Sequence, residues 1–169
     1  LLPAATTAAV FVLKYNSSGT LQGALSMNGT GTDIGYSITT DSSGNFYVTG
    51  QYTSTGTVSI PNLSLSASGT QTASGYLLPA ATTAAVFVLK YNSSGVLQGS
   101  LILDGTGTDV GQSITIDSTG NFYVTGQYTS TSTVSINSLG LSATGTQTAS
   151  GYRLPAASST AMFVLKYNS

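Results

Sequence analysis

The sequence repeats itself with a period of 76 residues. The tetrapeptide Leu-Pro-Ala-Ala occurs at 2–5, 78–81 and 154–157, and residues 1–76 match residues 77–152 at 62 of 76 positions. A fixed period of this kind is typical of solenoids, propellers and linear arrays, in which each unit contacts mainly its neighbours. We therefore divide the chain into repeat 1 (1–76), repeat 2 (77–152) and the first strand of repeat 3 (153–169). Because the chain opens and closes inside a repeat, we expect it to be an excerpt of a longer protein.

Within each repeat, short apolar or alternating runs are separated by clusters of turn-forming residues. In repeat 1 the runs lie at 10–15, 21–27, 36–40 and 46–52, and the turns between them are rich in Asn, Asp, Ser and Gly. This pattern predicts antiparallel hairpins. Residues 57–60 and 63–67 also alternate and predict one further hairpin, whereas residues 4–9 follow a proline and are expected to form a loop. No segment predicts a helix, so the expected fold class is all-β.

The alternation within the strands places apolar side chains on both faces. Phe11, Leu13 and Tyr15 share one face of the first strand, and Val10 and Val12 share the other. Apolar residues on both faces are typical of a sheet that is covered on both sides. The repeats are therefore expected to pack sheet against sheet.

The scarcity of charged and nucleophilic groups excludes several function classes. The chain carries four Lys and Arg and five Asp and Glu residues, with a net charge of −1, and it contains no His and no Cys. There is no basic field to bind nucleic acid or anionic lipid, and no run of about 18 apolar residues to span a membrane. All five acidic residues are Asp, so the usual pairs of general base and nucleophile cannot be assembled. We predict no enzymatic activity, no catalytic residue, no cofactor and no metal site.

Two kinds of aspartate invite a functional interpretation. Asp41 and Asp117 lie in oxygen-rich turns, but these turns lack the several carboxylates of a calcium cage, so we expect each Asp to cap its own turn. Asp33 and Asp109 precede strands, where they either cap turns or pair with the lysines. A lysine recurs at one place in every repeat, which favours a structural role over a Ser–Lys dyad or an isopeptide crosslink (Lys14, Lys90 and Lys166).

Several residues of the sequence are of types that carry or bind sugars. Four Asn residues begin N-x-Ser/Thr sequons, although a chain rich in Ser and Thr generates such triplets by chance (Asn16, Asn28, Asn62 and Asn92). Thr residues beside Pro and Ala at 6–7 and 82–83 resemble acceptors of O-linked glycans. The tyrosines of repeat 1 are expected to pack within the sheets more often than to bind sugar (Tyr15, Tyr36, Tyr47, Tyr52 and Tyr76).

Three segments of repeat 1 resemble the bacterial β-propeller repeat family called SBBP. They are Phe-Val-Leu-Lys-Tyr-Asn-Ser-Ser-Gly at 11–19, Gly-Thr-Gly-Thr-Asp-Ile-Gly-Tyr-Ser-Ile at 29–38 and Asp-Ser-Ser-Gly-Asn-Phe-Tyr-Val-Thr-Gly at 41–50, and the pattern recurs in repeat 2. The third repeat keeps the segment 163–169. The resemblance implies a four-stranded antiparallel blade from a microbial surface or secreted protein without catalytic activity. Because a blade needs about 40–50 residues, we expect an extra piece within residues 61–85, for which the stretch 75–85 is the candidate.

The predicted architecture is a tandem array of four-stranded antiparallel blade-like sheets of the β-propeller type. The sheets either stack linearly in a fibre or form part of a larger propeller. Few Lys, Pro or bulges block the strand edges, which favours a structural repeat of an extracellular filament, stalk or adhesin whose partners are copies of itself or adjacent repeats. The alternative is a non-catalytic binding propeller of a microbial surface protein that recognises a glycan or a protein. Both alternatives predict a location outside the cell or on its surface.

Overall fold

In the computed structural model, residues 1–168 are described, and Ser169, the last residue of predicted repeat 3, lies outside the described residues. All regular structure in this range is β-strand, which confirms the predicted fold class. Over the same residues, no helix is long and apolar enough to cross a membrane. The strands of the described range are β1 (Val10–Tyr15), β2 (Leu21–Met27), β3 (Ile34–Thr40), β4 (Phe46–Ser54), β5 (Val58–Asn62), β6 (Thr72–Leu78), β7 (Ala81–Tyr91), β8 (Leu97–Leu103), β9 (Val110–Ile116), β10 (Phe122–Ser130), β11 (Val134–Asn137), β12 (Ala149–Leu154) and β13 (Ala157–Tyr167).

The strands form three main antiparallel sheets and two separate hairpins. The N-terminal sheet contains β1 and β2, the central sheet has the order β3-β4-β7-β8, and the C-terminal sheet has the order β13-β10-β9. The hairpins are β5 with β6 and β11 with β12. The four-stranded antiparallel blade that the SBBP resemblance implies is seen whole in the central sheet.

Each completed sheet takes its strands from two successive repeats. In the central sheet, β3 and β4 belong to repeat 1, whereas β7 and β8 belong to repeat 2. The join is the β4–β7 pair, which runs from Phe46 opposite Tyr91 to Ser54 opposite Ala81. In the same way β13, from repeat 3, pairs with β10 of repeat 2. Successive repeats therefore cannot separate without breaking a ladder of backbone hydrogen bonds.

Both faces of the central sheet are buried. Phe87 and Leu89 on β7 point into a core shared with the N-terminal sheet. Val86 and Val88, the alternate residues of the same strand, point into a second core shared with the C-terminal sheet. Aromatic rings stack within these layers, with centroids 4.8 Å apart in the pair Phe46 and Tyr91 and in its repeat equivalent. The three sheets are thus stacked face to face, as the two-sided apolar pattern predicts.

One five-residue sequence, Ala-Thr-Thr-Ala-Ala, adopts two different structures in the two repeats. The difference shows that tertiary partners decide local structure. Residues 5–9 form the predicted loop, but the same sequence at 81–85 begins β7. In β7, Ala81 and Ala85 lie opposite Ser54 and Tyr52 of β4. The loop predicted at 4–9 is therefore correct, while the same sequence in repeat 2 forms a strand because only the second segment has a strand beside it.

The predicted hairpin of 57–60 with 63–67 is wrong in its second strand. β5 pairs instead with β6, and Ser64 crosses to the N-terminal sheet, where it bridges to Ala24. Alternation shows that a segment is half-buried, but it does not identify the partner. The extra piece of the 76-residue period is this hairpin at 58–78, which lies largely within the expected range 61–85 but mostly before the stretch 75–85.

Candidate interaction surfaces

Asp109 connects two sheets through one residue. Its buried carboxylate accepts the backbone N–H of Gly105 and, at 3.0 Å, that of Thr129 on β10. Its own backbone N–H donates to the carbonyl oxygen of Ala84 on β7 at 2.8 Å. Burial raises the pKa of Asp109 to about 6, against the lowering effect of the two N–H groups and with a further rise from Asp104. The side chain thus holds the C-terminal sheet while the main chain holds the central sheet.

Asp33 makes the same connection one repeat earlier. Its carboxylate accepts the N–H groups of Gly29 and Thr53, and its backbone N–H donates to the carbonyl of Ala8 at 3.0 Å. Burial also raises the pKa of Asp33, although both backbone hydrogen bonds oppose the rise. Of the two roles predicted for these aspartates, the carboxylates have the contacts of a loop cap. The glycine-rich loop with its Asp is an inter-sheet link.

Asp41 and Asp117 cap the tight turns in which they lie. The Oδ1 atom of Asp117 accepts the N–H groups of Thr119 and Asn121, and Oδ2 accepts the amide of Asn121 at 2.9 Å. The side chains of Asn121 and Thr119 hold the pKa of Asp117 well below its usual range. For Asp41 burial acts to raise the pKa, but hydrogen bonds from Asn45 and Ser43 leave it lowered. Among residues 1–168 no three Asp side chains are grouped as metal ligands.

The repeat lysines lie against carbonyl oxygens and tyrosine rings. The Lys14 ammonium donates to the carbonyl of Ser93 at 2.5 Å, which joins β1 to the β7–β8 turn. The Lys90 ammonium lies 5.3 Å from the ring centroid of Tyr47, and Lys166 lies 5.6 Å from that of Tyr123. Such cation–π contacts contribute roughly 0.5–1 kcal/mol when exposed. The two cation–π contacts connect neighbouring strands.

The tyrosines and the sequon asparagines have structural partners. Tyr91 is buried and its hydroxyl donates to the carbonyl of Pro61 at 3.1 Å, while Tyr52 donates to Pro79 at the same distance. The carboxamide of Asn16 accepts two backbone N–H groups of its own turn. The tyrosines that remain exposed on the outer faces are Tyr15, Tyr36 and Tyr152.

The hairpin β11–β12 reaches back and covers the outer edge of the central sheet. Ser100 on β8 and Gly140 exchange two backbone hydrogen bonds, at 2.7 and 3.0 Å. The side chain of Leu139 lies on Gly99, where an added Cβ would come within 2.7 Å of it. Asn137 adds a bond from its side-chain amide to the carbonyl of Ile102 at 2.8 Å. The hairpin therefore acts as a clasp on the edge of the central sheet, formed within repeat 2.

The same clasp is present in repeat 1, where it covers the outer edge of β2. Ser64 exchanges hydrogen bonds with Ala24 on β2, and Leu63 lies on Gly23. Successive hairpins also touch, since Leu77 donates its N–H to the carbonyl of Ser142 at 2.9 Å. The sequence shows few Lys or Pro residues that would block edges, but an edge covered by a hairpin is equally protected from lateral pairing. The hairpins thus cover the outer edges of β2 and β8.

The outer faces of the stack expose side chains whose repeat equivalents are fully buried. On β1, Phe11 is 62% exposed, whereas its equivalent Phe87 is 0% exposed. On β13, Val164 is 67% exposed, whereas Val88 is 0% exposed. Ile38 borders an open cleft of about 290 Å³ between β1 and β3. Exposed apolar patches of this kind mark interaction sites.

Comparison with known proteins agrees with this geometry. The family model of the SBBP β-propeller repeat matches residues 20–53, which cover β2, β3 and β4. An uncharacterized WD repeat-containing protein of Acanthamoeba polyphaga mimivirus is 31% identical over 159 residues, which are 94% of this chain and 11% of that protein. The chain therefore spans about a tenth of the length of this relative. The match, the repeat and the four-stranded central sheet together show that the chain carries the β-propeller repeat of the SBBP family.

Proposed function

We propose that the chain is a non-enzymatic structural repeat of an extracellular filament, stalk or adhesin, whose units assemble by stacking sheets. The observation that carries the proposal is the exposure of Phe11 and Val164 at the two ends of the stack, where the equivalent Phe87 and Val88 are buried. The proposed partner is a second copy of the repeat, because the chain already buries the same side chains against itself.

The two end faces are complementary to each other. Inside the chain, the β1 face that carries Val10 and Val12 packs against the β7 face that carries Phe87 and Leu89. The exposed face of β13 is of the first type, and the exposed face of β1, with Phe11, is of the second type. One copy can therefore stack on the next in a head-to-tail manner. Such a contact builds a filament if the rotation does not close and a ring if it does.

The low charge of the surface supports assembly of copies. With a net charge of −1 and 5% charged residues, electrostatic repulsion between copies is small. The Ser and Thr hydroxyls hydrogen-bond across an interface without the desolvation cost of ions. The location is tested by brief proteolysis of intact source cells followed by mass spectrometry, which should release peptides of this chain before any cytoplasmic marker.

Assembly is tested by sedimentation velocity over a range of concentrations, combined with electron microscopy. We expect the wild-type chain to form head-to-tail oligomers that lengthen with concentration. Val164→Asp places a charge on the stacking face and should shift the oligomers to monomers. Leu65→Asp is the matched control, because Leu65 is exposed outside the stacking faces, and it should assemble like the wild type. A wild-type chain that stays monomeric at about 1 mM, where a weak contact is half-saturated, would contradict the proposal.

The second candidate is a non-catalytic binding propeller that recognises a glycan or a protein at a microbial surface. It is favoured by the SBBP match and by the similarity to a WD repeat-containing protein. A closed propeller contains about 4–8 blades. Micrographs of the longer protein that show compact discs, together with binding to a glycan array, would support this function over the filament.

A further inference from the structure

The sequence contains one Asn-Gly step, at Asn28 and Gly29, in the loop that leads from β2 to β3. Every other asparagine is followed by Ser, Phe or Leu. A backbone nitrogen that follows Asn can attack its side-chain amide and close a five-membered imide ring, with loss of ammonia. Glycine obstructs this attack least, because it has no Cβ. Asn28 is therefore the position of this chain at which the reaction is favoured chemically.

The fold itself requires the glycine of this step. A Cβ added at Gly29 would lie 2.8 Å from the backbone carbonyl oxygen of Thr53 on β4. Repeat 2 has the same restriction at Gly105, where an added Cβ would lie 3.0 Å from the carbonyl oxygen of Thr129. A larger residue would displace the loop from the strand, so packing keeps an unhindered nitrogen next to Asn28.

A buried carboxylate holds the proton of the nitrogen that would attack. The Oδ2 atom of Asp33 accepts the backbone N–H of Gly29, while Oδ1 accepts that of Thr53 at 3.1 Å. Asp33 is 1% exposed, and burial raises its pKa against the effect of both hydrogen bonds. A general base must lie within hydrogen-bond reach of the proton that it removes. Asp33 meets this requirement at Gly29.

The side-chain amide of Asn28 is accessible to the same reaction. The residue is exposed, so ammonia can leave directly into water. Its Oδ1 atom accepts the hydroxyl of Thr7 at 3.3 Å. A donor at this oxygen stabilises the negative charge that develops there when the nitrogen adds to Cγ. The loop thus places a base on the attacking nitrogen and a donor on the oxygen of the group attacked.

Repeat 2 shows that the contact between the carboxylate and the glycine does not depend on the ends of the chain. Asp109 accepts the N–H of Gly105 in the same way, and the central sheet is covered on both faces there. The residue before this glycine is Asp104, which is exposed. It carries the side chain that hydrolysis of the Asn28 amide would create. The loop therefore accepts a carboxylate at this position.

We propose that Asn28 is a self-modification site, at which Asp33 promotes conversion of the asparagine to aspartate and isoaspartate. Asp33 accepts the proton of Gly29, the nitrogen bonds to Cγ of Asn28, and the Cγ–Nδ2 bond breaks as the proton passes to the leaving ammonia. Water then opens the imide ring. Addition of water at Cγ gives aspartate, and addition at the main-chain carbonyl carbon gives isoaspartate. One water is consumed, one ammonia is released, and no oxidant or cofactor is needed.

The two products change the loop differently. Aspartate makes repeat 1 the same as repeat 2 at this position and adds one negative charge beside Asp33. Isoaspartate adds the same charge and also lengthens the main chain by one carbon atom, in the loop whose Asp33 carboxylate holds Thr53 of β4. The modification therefore alters the link between this loop and the central sheet as the protein ages.

The test compares the folded chain with the chain unfolded in urea, incubated side by side at neutral pH. Peptide mass spectrometry locates the replacement of NH₂ by OH, and fragmentation separates aspartate from isoaspartate. We expect Asn28 to react faster in the folded chain than in urea and to yield both products. Asn92, which is followed by Ser93, is the internal control and should stay unmodified over the same time.

Two variants test the role of the carboxylate. Asp33→Asn should slow the reaction of folded Asn28 by at least about tenfold, a modest part of the roughly 10²–10⁴-fold that a positioned base contributes. Loosening of the loop by this substitution would bring the rate only to that of the unfolded chain, which is the reference for the variant. Asp41→Asn is the matched control, because it removes a carboxylate that caps another turn of repeat 1, and it should leave the rate unchanged.

The inference is overturned if Asn28 reacts more slowly in the folded chain than in urea, or if Asp33→Asn reacts as fast as the wild type. Aspartate without isoaspartate would contradict the imide route. None of these outcomes depends on whether copies of the chain assemble, so the inference and the proposed function stand or fall separately.

Discussion

The stability of this protein should fall as the pH rises from about 4.5 to 7.5, and Asp109 should cause much of the fall. The pKa of Asp109 is about 6 in the folded chain, against an ordinary value of 3.8. The folded state therefore binds more protons than the unfolded state between these two values. The contribution of the protonated carboxyl is present in full below 3.8 and is lost as the pH rises through 6.

The size of the effect follows from the raised pKa. A shift of about two units corresponds to roughly 3 kcal/mol of unfolding free energy over the whole titration, at 1.36 kcal/mol per unit, of which roughly 2 kcal/mol falls between pH 4.5 and 7.5. Burial also raises the pKa of Asp33 and Asp104, so these groups add to the fall with the same sign. Asp41 and Asp117 have lowered pKa values and lose their stabilising effect only below 3.8. These are the only acidic side chains of the sequence and it contains no His, so the maximum of stability is expected near pH 4–5.

The assay is urea unfolding at pH 4.5 and 7.5, followed by circular dichroism and by tyrosine fluorescence, since the chain has no Trp. The control variant is Asp109→Asn, which removes the titration. Its new amide faces the N–H of Gly105, so it should cost about 1–3 kcal/mol at pH 4.5. The variant should also lose most of the difference between the two pH values. The reasoning is refuted if the wild type is as stable at pH 7.5 as at 4.5, or if the variant keeps the full difference.

Three further predictions concern packing and hydrogen bonding. Gly50→Ala should destabilise the chain by about 3 kcal/mol or more, because the new Cβ would lie 1.9 Å from a backbone carbonyl oxygen. The control Gly56→Ala should change the melting temperature little, because no atom lies within 4 Å of its new Cβ. Leu63→Ala should cost about 1–3 kcal/mol and speed hydrogen exchange in the hairpin β5–β6, while exposed Leu65→Ala should leave both unchanged. Tyr91→Phe leaves a carbonyl without its donor and should cost about 1 kcal/mol in urea unfolding at pH 7; equal stability would contradict this account.

The positions of most strands could be predicted from the sequence because local chemistry determines them. Asn16 and Asp41 cap turns whose glycines, Gly19 and Gly44, have φ values of 79° and 77°. A positive φ is readily adopted only by residues such as glycine, so these turns mark the strand ends in the sequence itself. Val86 and Phe87 are both apolar although they point to opposite faces of β7, so the sequence itself indicates that both faces are buried. These features depend on neighbours within a few residues.

The partners of the strands could not be predicted, because near-identical repeats give a strand several equivalent choices. β7 joins β4 of the previous repeat, and nothing local to either strand distinguishes that arrangement from pairing inside one repeat. The contacts of the clasp could not be predicted from the sequence for a related reason. Leu63 needs a partner without a side chain, and Gly23 and Gly95 provide it from distant positions in the sequence. The inter-sheet role of Asp109 also emerges only when its loop lies beside Ala84.

The hairpin that lengthens the repeat to 76 residues protects two strand edges from lateral pairing. Without it, the outer edges of β2 and β8 would be exposed templates for lateral pairing. Gly140 and Ser64 cover these edges, and the contact of Leu77 with Ser142 joins one hairpin to the next. The two stacking faces stay exposed at the ends of the stack, while β3 and β9 each pair on one side only. The hairpins support the proposed head-to-tail stacking, since they leave the edges of β2 and β8 unavailable for lateral pairing.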